Sequence, residues 1–411
     1  MGKVIVIGAG ASGMMAGGYA GYYGNDVTVF EKNDYAGRKL RITGKGRCNL
    51  TNNCDNDTFL ANVPTNSRFL YSAINSFTTQ DTMCFFEEKG LPLKTERGNR
   101  VFPQSDKAVD VVEVLKKFLK ENHVRMVNEE VKSLIVQDNT VCGVKTVQGK
   151  TYRADKVIIA TGGKSYPKTG STGTGYQLAR QVGHTIIPPK PSLVPIVSAD
   201  SFCRELQGLS LKNVALSVME GNSGKVIYED FGEMLFTHFG ISGPLVLSAS
   251  AHLVHKKNLS DYLISLDIKP ALSEKQLDLR MLRDFEQFIN KDIINSLGKL
   301  LPAKLIPVVL KRADIPFTTK CNSLTKEQRH TLLTIIKNFT IRLKAFRPID
   351  EAIITSGGVS TREINPKTME SKLCKNLYFA GEVIDVDAYT GGFNLQIAFS
   401  TGYLAGSFCN S

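Results

Sequence analysis

Apolar runs, strict alternation and a 3.6-residue periodicity divide this chain into zones. Residues 3–7, KVIVI, form the short β-branched run expected of a strand buried on both faces of a parallel sheet. The small-residue segment MMAGGYAGYYG that follows predicts a tightly packed helix, and DVTVFEK at 26–32 a second strand. EVKSLIV at 130–136, DKVIIATGG at 155–163 and KNLYFAGEVID at 375–385 read as further strands. The last of these precedes an apolar helix beginning near Asn394.

Between these pieces the rhythm changes. LVPIV, NVALSVME and KVIYED, with a hairpin turn at Gly221–Gly224, predict β structure over 192–268. Helical periodicity takes over across 273–345, in EKQLDLRMLRDFEQFINKDIINSL and TKEQRHTLLTIIKNF. The expected class is α/β, a discontinuous Rossmann-like domain at 1–188 and 350–411. Its insertion is a β-barrel-like subdomain at 189–271 and 331–349 carrying helices at 272–330. The proline-rich PPKPSLVP marks the exit near residue 188.

The turn after the first strand is Gly8-Ala9-Gly10-Ala11-Ser12-Gly13. Gly8 permits a tight turn, Gly10 lets backbone approach a pyrophosphate, and Gly13 lets helix pack on strand, while the helix N-terminus offers N–H groups to phosphate. Glu31 ends the second strand, where a carboxylate accepts from ribose hydroxyls and disfavours a 2′-phosphate. Thr161-Gly162 and Gly381 close later strands, with Asp385 just beyond, and a helix N-terminus after Gly392 would stabilise charge at the pyrimidine edge of a flavin. The distant strand ends favour FAD over NAD, because the longer cofactor needs support from far along the chain.

The segment GRKLRITGKGRCNLTN at 37–52 is the most basic motif, with Arg38, Lys39, Arg41, Lys45 and Arg47. Its place six residues after Glu31 makes it a cofactor clamp, in which Thr43, Gly44 and Gly46 run backbone along the flavin. Cys48 reads as a buried turn residue more than as a thiolate activated by its basic neighbours.

Composition narrows the field. With 411 residues, 51 Lys and Arg against 39 Asp and Glu leave a net charge of +12, which favours anionic partners without naming one. The eight cysteines include no CxxC pair and no zinc-ligand spacing, which excludes a disulfide reductase and predicts reduced thiols. The first strand begins at once and no run of eighteen apolar residues occurs, so a cytoplasmic protein without membrane insertion is expected.

GAGASG, ATGG, GE(x)₂D and GGxNxQ resemble the two-dinucleotide-binding-domain FAD flavoproteins. The segments RKLRITGKGRCNLTN, GNRVFPQSDKA, GEMLFTHFGISGP and GEVIDVDAYTGGFNLQIAFSTG are similar to the HI0933-like family, which includes bile acid reductases and aminoacetone oxidase-like proteins. The resemblance implies Glu31 on the adenosine ribose with Lys32 beside it, and Arg38 and Lys39 near the pyrophosphate. It also implies Val131 backbone on the adenine edge, and Asp385, Asn394, Leu395 and Ile397 around the ribityl chain and flavin. Asp387-Ala388 stands where a glycine is frequent, and Phe393 where tyrosine is common.

The expected activity is an FAD-dependent oxidoreductase, charged transiently by NADH or NADPH, that passes hydride to an activated C=C of a small apolar, enone-like substrate. An amine oxidase using O₂ and a flavoprotein that binds nucleic acid are the alternatives, and nucleic acid is not the expected partner because no RNA-binding module accompanies the charge. The glycine-rich GSTGTGYQLARQVGH at 170–184 follows a loop, so no dedicated nicotinamide domain is read. His238 and Tyr389 are candidate proton donors, and the oligomeric state is not legible.

Overall fold

In the computed structural model, which describes residues 2–409, the β-branched runs become one parallel sheet. Its strands are β1 (Lys3–Ile7), β2 (Asp26–Phe30), β3 (Arg125–Val127), β4 (Lys156–Ile159) and β5 (Leu377–Phe379), in the order β5-β4-β1-β2-β3. Pairing is in register from Val4↔Lys156 and Lys3↔Asp26 onward, so the C-terminal ends of β1, β2 and β4 lie level. The order runs outward in both directions from β1, which puts the topological switch point, and the ligand crevice of such sheets, at the end of β1.

Helices α1 (Ala11–Tyr22), α2 (Ala108–Glu121) and α3 (Phe393–Phe408) belong to the same unit, which comprises Met1–Ser192 and Pro348–Ser411. α2 is amphipathic, burying Val111, Val112, Leu115, Phe118 and Leu119 on one face. α1 and α3 are apolar nearly all round and sit in the core. This unit also holds two three-stranded antiparallel sheets, Val131–Gln137 with Thr140–Thr146 and Thr151–Arg153, and Thr51–Asn52 with Arg100–Pro103 and Leu93–Glu96.

The segment PPKPS forms the end of a strand, and the second unit begins directly after it, at Leu193. Ile186–Ser192 pairs antiparallel with Ile354–Val359, with a register shift between Ile187 and Lys190. Pro188 and Pro189 fall at that irregularity, where the ladder asks for no N–H.

The second unit, Leu193–Arg347, is built on a closed barrel of six antiparallel strands. In barrel order these are Ile196–Ser198, Gly240–Ser242, Val226–Thr237, Ser210–Glu220, Tyr262–Asp267 and Phe339–Phe346. Alternate residues such as Val214, Leu216 and Val218, with Ile264, Leu266 and Ile341, are buried in the core of this unit. Helices Glu274–Gln287 and Lys326–Lys337 open on capping boxes, Ser273 with Gln276 and Thr325 with Gln328. Among the described residues no helix is long and apolar enough to cross a membrane.

Candidate functional site

The loops after β1, β2, β4 and β5 carry most of the motif residues. At the β1–α1 turn Gly13 is indispensable by space, because a Cβ there would lie 1.8 Å from the Gly8 carbonyl oxygen. At Gly10 the opposite holds, and a Cβ would meet no atom within 4 Å. Gly10 is the N-cap of α1 and offers no side-chain acceptor, so the first-turn N–H groups of Ala11 and Ser12 face the open side uncapped. Ser12 is buried beneath Gly381, whose backbone N–H donates to Thr401 Oγ1 at 2.9 Å.

Glu31 is fixed at the end of β2. Its Oε2 accepts from the Ala9 N–H at 3.0 Å, and its Oε1 from the Asn33 backbone N–H at 2.9 Å and Asn33 Nδ2 at 2.6 Å. Arg38 Nη1 donates to Asn33 Oδ1 at 2.8 Å, so it braces the residue that braces Glu31. Asn128 Nδ2 ties the carbonyls of Glu31 and Asn33 at 3.0 and 2.6 Å. Lys32 Nζ donates to Thr172 Oγ1 at 2.7 Å, and Val131 opens its strand paired with Thr146. Asn33 and Asn128 escape sequence reasoning, since their roles depend on contacts closed only by the fold.

After the short helix Arg38–Ile42 the chain turns through Thr43–Gly46, where Gly44 and Lys45 are left-handed and Thr43 Oγ1 donates to the Leu40 carbonyl at 2.7 Å. Lys39 reaches inward and donates to Glu382 Oε2 and Ser165 Oγ, each at 2.6 Å. Glu382 Oε1 in turn accepts from the Thr355 N–H at 2.8 Å and Ser165 Oγ at 3.0 Å. This network fastens the basic segment, the β4 loop and the β5 loop together. Glu382 belongs to the GE(x)₂D motif, whereas Ser165 and Thr355 were not singled out by sequence.

Arg47 turns to protein carboxylates. Its Nε donates to Asp106 at 2.8 Å, Glu96 lies within ion-pair distance, and its guanidinium stacks 4.2 Å from the Phe102 ring centre. Hydrogen bonds from Arg47 hold the Glu96 carboxyl below its ordinary range, and those from Lys94 and Arg47 do the same for Asp106. Cys48 is fully buried with φ 60°, and burial pushes its thiol up to about 12 despite a hydrogen bond from Thr43. A thiolate is therefore suppressed there.

Past β5, Asp385 is buried and its carboxylate and backbone carbonyl accept from Asn66 Nδ2 at 3.0 and 2.7 Å. Gly392 caps α3 with φ 98°, and a Cβ there would lie 2.3 Å from the Thr51 carbonyl oxygen. Asn394 accepts from the Ala388 N–H at 2.9 Å and donates to the carbonyls of Ala388 and Tyr389 at 2.8 and 3.2 Å, which folds the 388–394 loop onto the α3 N-terminus. Leu395 is half-buried and Ile397 buried. Burial, with Asp387 nearby, raises the Tyr389 hydroxyl to about 12. His238 is exposed at a turn of the barrel unit, its ring edge-on to Phe239.

The donor set fits a dinucleotide. It combines an uncapped helix N-terminus, open space before Gly10, a fixed carboxylate at the second strand end, and buried oxygens of Thr161 (Oγ1) and Asn49 (Oδ1) that no protein group satisfies among the described residues.

Residues 2–408 match the model of the HI0933-like protein Rossmann domain. The chain is 33% identical to a 3-dehydro-bile acid delta(4,6)-reductase of Clostridium scindens, over 99% of this chain and 98% of that protein. It is 31% identical to a ribosomal RNA dihydrouridine synthase of Haemophilus influenzae, over 97% and 96% of the respective chains. Among solved structures it resembles a 3-ketosteroid-delta4-(5alpha)-dehydrogenase of Rhodococcus jostii, with a TM-score of 0.56 at 15% identity over 99% of this chain and 96% of that one, a likeness of fold.

Proposed function

The chain belongs to the HI0933-like family of FAD-dependent oxidoreductases, and from that premise we propose that it reduces a carbon–carbon double bond conjugated to a carbonyl, drawing electrons from NADH or NADPH. These two relatives are named for different molecules, a 3-dehydro bile acid and uridine of ribosomal RNA. Chemistry unites them, since a Δ4 bond beside a 3-oxo group and the uracil C5=C6 bond beside its C4 carbonyl are both polarised acceptors of hydride. That shared bond type, set beside a donor set that fits a dinucleotide, is the observation that carries the reading.

Bound FAD supplies the hydride chemistry, at flavin N5. Gly8, Gly10 and Gly13 with the α1 N-terminus would hold its pyrophosphate, and Glu31, braced by Asn33, its adenosine ribose. Lys39 and Glu382 would stiffen the wall formed by Thr43, Gly44 and Gly46, and Asp385 would meet the ribityl chain. Cys48, kept as a neutral thiol, takes no part.

For the substrate, a free apolar enone follows from the bile acid relative and uridine within RNA from the other. The net charge of +12 favours a polyanion, so we take uridine in RNA as the substrate. FAD-loaded protein reduced anaerobically with NADH or NADPH is mixed either with a 3-oxo-Δ4 steroid acid or with ribosomal RNA from cells lacking this gene. Flavin reoxidation by the RNA, with uridine gaining two hydrogens by mass spectrometry of the digest, is expected. Reoxidation by the steroid alone replaces the substrate. Reoxidation by neither, or only by O₂ with peroxide formed from an amine, overturns the reductase reading.

A further inference from the structure

A cleft of about 390 Å³ opens between two distant stretches of the first unit, lined by Asn66, Ser67, Arg68, Phe69, Thr361 and Arg362. Its position relative to the cradle is fixed by Asn66, whose amide donates to the Asp385 carboxylate and backbone carbonyl. Both arginines are exposed, and among the described residues neither has an ion-pair partner. Two arginines among the lining residues bring positive charge to one cleft, which favours an anion there.

The acids nearby do not serve that purpose. Glu363 accepts from the Thr185 N–H at 2.8 Å and lies 3.1 Å from His184 Nδ1, while Glu370 accepts from the Asn376 N–H at 2.9 Å. The segment from 361 to 375 thus spends its carboxylates on its own packing and leaves Arg362, Lys367, Lys372 and Lys375 exposed. Tyr71, 62% exposed, opens the helix Tyr71–Ser76 directly after the 3-10 turn Ser67–Leu70 that carries Arg68. A cationic cleft with an exposed ring beside it is the arrangement that grips a single-stranded nucleic acid, phosphate in the cleft and base on the ring.

We propose that the Arg68–Arg362 cleft binds the phosphodiester backbone of an RNA substrate, and that Tyr71 stacks a base beside it. Through Asn66 and Asp385 the bound strand is held at the edge of the FAD cradle, so the cleft delivers a nucleotide to the flavin. This rests on the uridine reading above.

The test measures binding of a fluorescein-labelled single-stranded oligouridylate to FAD-loaded protein across a salt series. Wild type is compared with R68A/R362A, the conservative R68K/R362K, and K256A/K257A, which removes the same charge from the barrel unit. The alanine pair is expected to weaken binding roughly ten-fold and to flatten the slope of log K against log salt by about 1.4, two phosphate contacts at 0.7 each. The lysine pair keeps most of the slope, and K256A/K257A changes affinity less than two-fold. Flavin fluorescence and melting temperature verify that each variant folds and holds FAD.

Equal losses in the alanine pair and K256A/K257A would show general electrostatics and overturn the cleft assignment. So would wild-type affinity in the alanine pair, with the RNA reading left standing in both cases. Absence of RNA binding by wild type sinks that reading and the cleft with it. If the alanine pair instead raises KM for a carboxylated steroid while RNA binding is unchanged, the cleft holds a small-molecule carboxylate and the RNA assignment fails.

Discussion

His184 shows how much one buried side chain can set. Its Nδ1 lies 3.1 Å from Glu363 and its Nε2 2.7 Å from Ser371 Oγ, an order of groups like that of a hydrolase triad. Ser371 Oγ, however, already accepts from the N–H groups of Leu373 and Cys374 at 3.0 and 2.9 Å and is buried, so its proton goes to His184 and no nucleophile is available. Burial lowers the His184 pKa from its ordinary 6.5, outweighing Glu363. Burial also pushes the Glu363 carboxyl up, but hydrogen bonds from Thr185 and His184 prevail and hold it below 4.5. Both shifts act in the same direction. As pH falls below about 6.5 the unfolded chain binds a proton that the folded His184 refuses, so stability present at neutral pH is lost on acidification, and Glu363 adds a further loss below about 4.5. Urea midpoints at pH 7.5 and 5.5 test this. H184Q should lower the midpoint at pH 7.5 by about 1–3 kcal/mol of stability and show a smaller drop to pH 5.5 than wild type; an unchanged drop would remove His184 as its source. At this scale the sequence reveals Glu31, because strand periodicity fixes its place, but not the bonds of Lys39 to Glu382 or Arg47 to Asp106, which join residues 343 and 59 apart.

Among elements, α1 and α3 form a close joint. A Cβ at Gly402 would lie 2.5 Å from the Ser12 carbonyl oxygen and one at Gly406 2.4 Å from that of Ala16, so the helices touch backbone to backbone. This contact joins the helix that follows the first glycine turn to the helix proposed to face the flavin, and so would fix the span of the cradle. G406V should cost about 1–3 kcal/mol by overpacking and weaken FAD retention, whereas G298A, where a Cβ meets nothing within 4 Å, should leave both unchanged. Thermal melts of apo and FAD-loaded protein read the result, and a G406V protein with wild-type melts would show that the joint can shift at no cost. The apolar runs made the parallel strands legible, since burial on both faces imposes β-branched residues. The strand Ile186–Ser192 was hidden by its prolines, whereas the helix Leu305–Arg312 lies inside the stretch that reads as helical, with Pro307 in its first turn.

At the scale of the whole molecule, one strand–glycine turn–helix unit must serve the entire reaction. The other glycine-rich stretch, before helix Thr174–Gln181, follows the turn Pro167–Thr169 and not a strand, so it lacks the geometry that presents a pyrophosphate to a helix N-terminus. With FAD in the β1–α1 crevice, no second cradle among the described residues remains for a nicotinamide dinucleotide. On the reductase reading proposed above, the electron donor and the substrate are expected to reach the flavin in turn, each leaving before the other enters. Initial rates measured over a grid of donor and substrate concentrations should give parallel double-reciprocal lines, and the oxidised nicotinamide should be released from the reduced protein before any substrate is added. Intersecting lines, or a nicotinamide that stays bound until substrate arrives, would require a donor site that these strand ends do not supply.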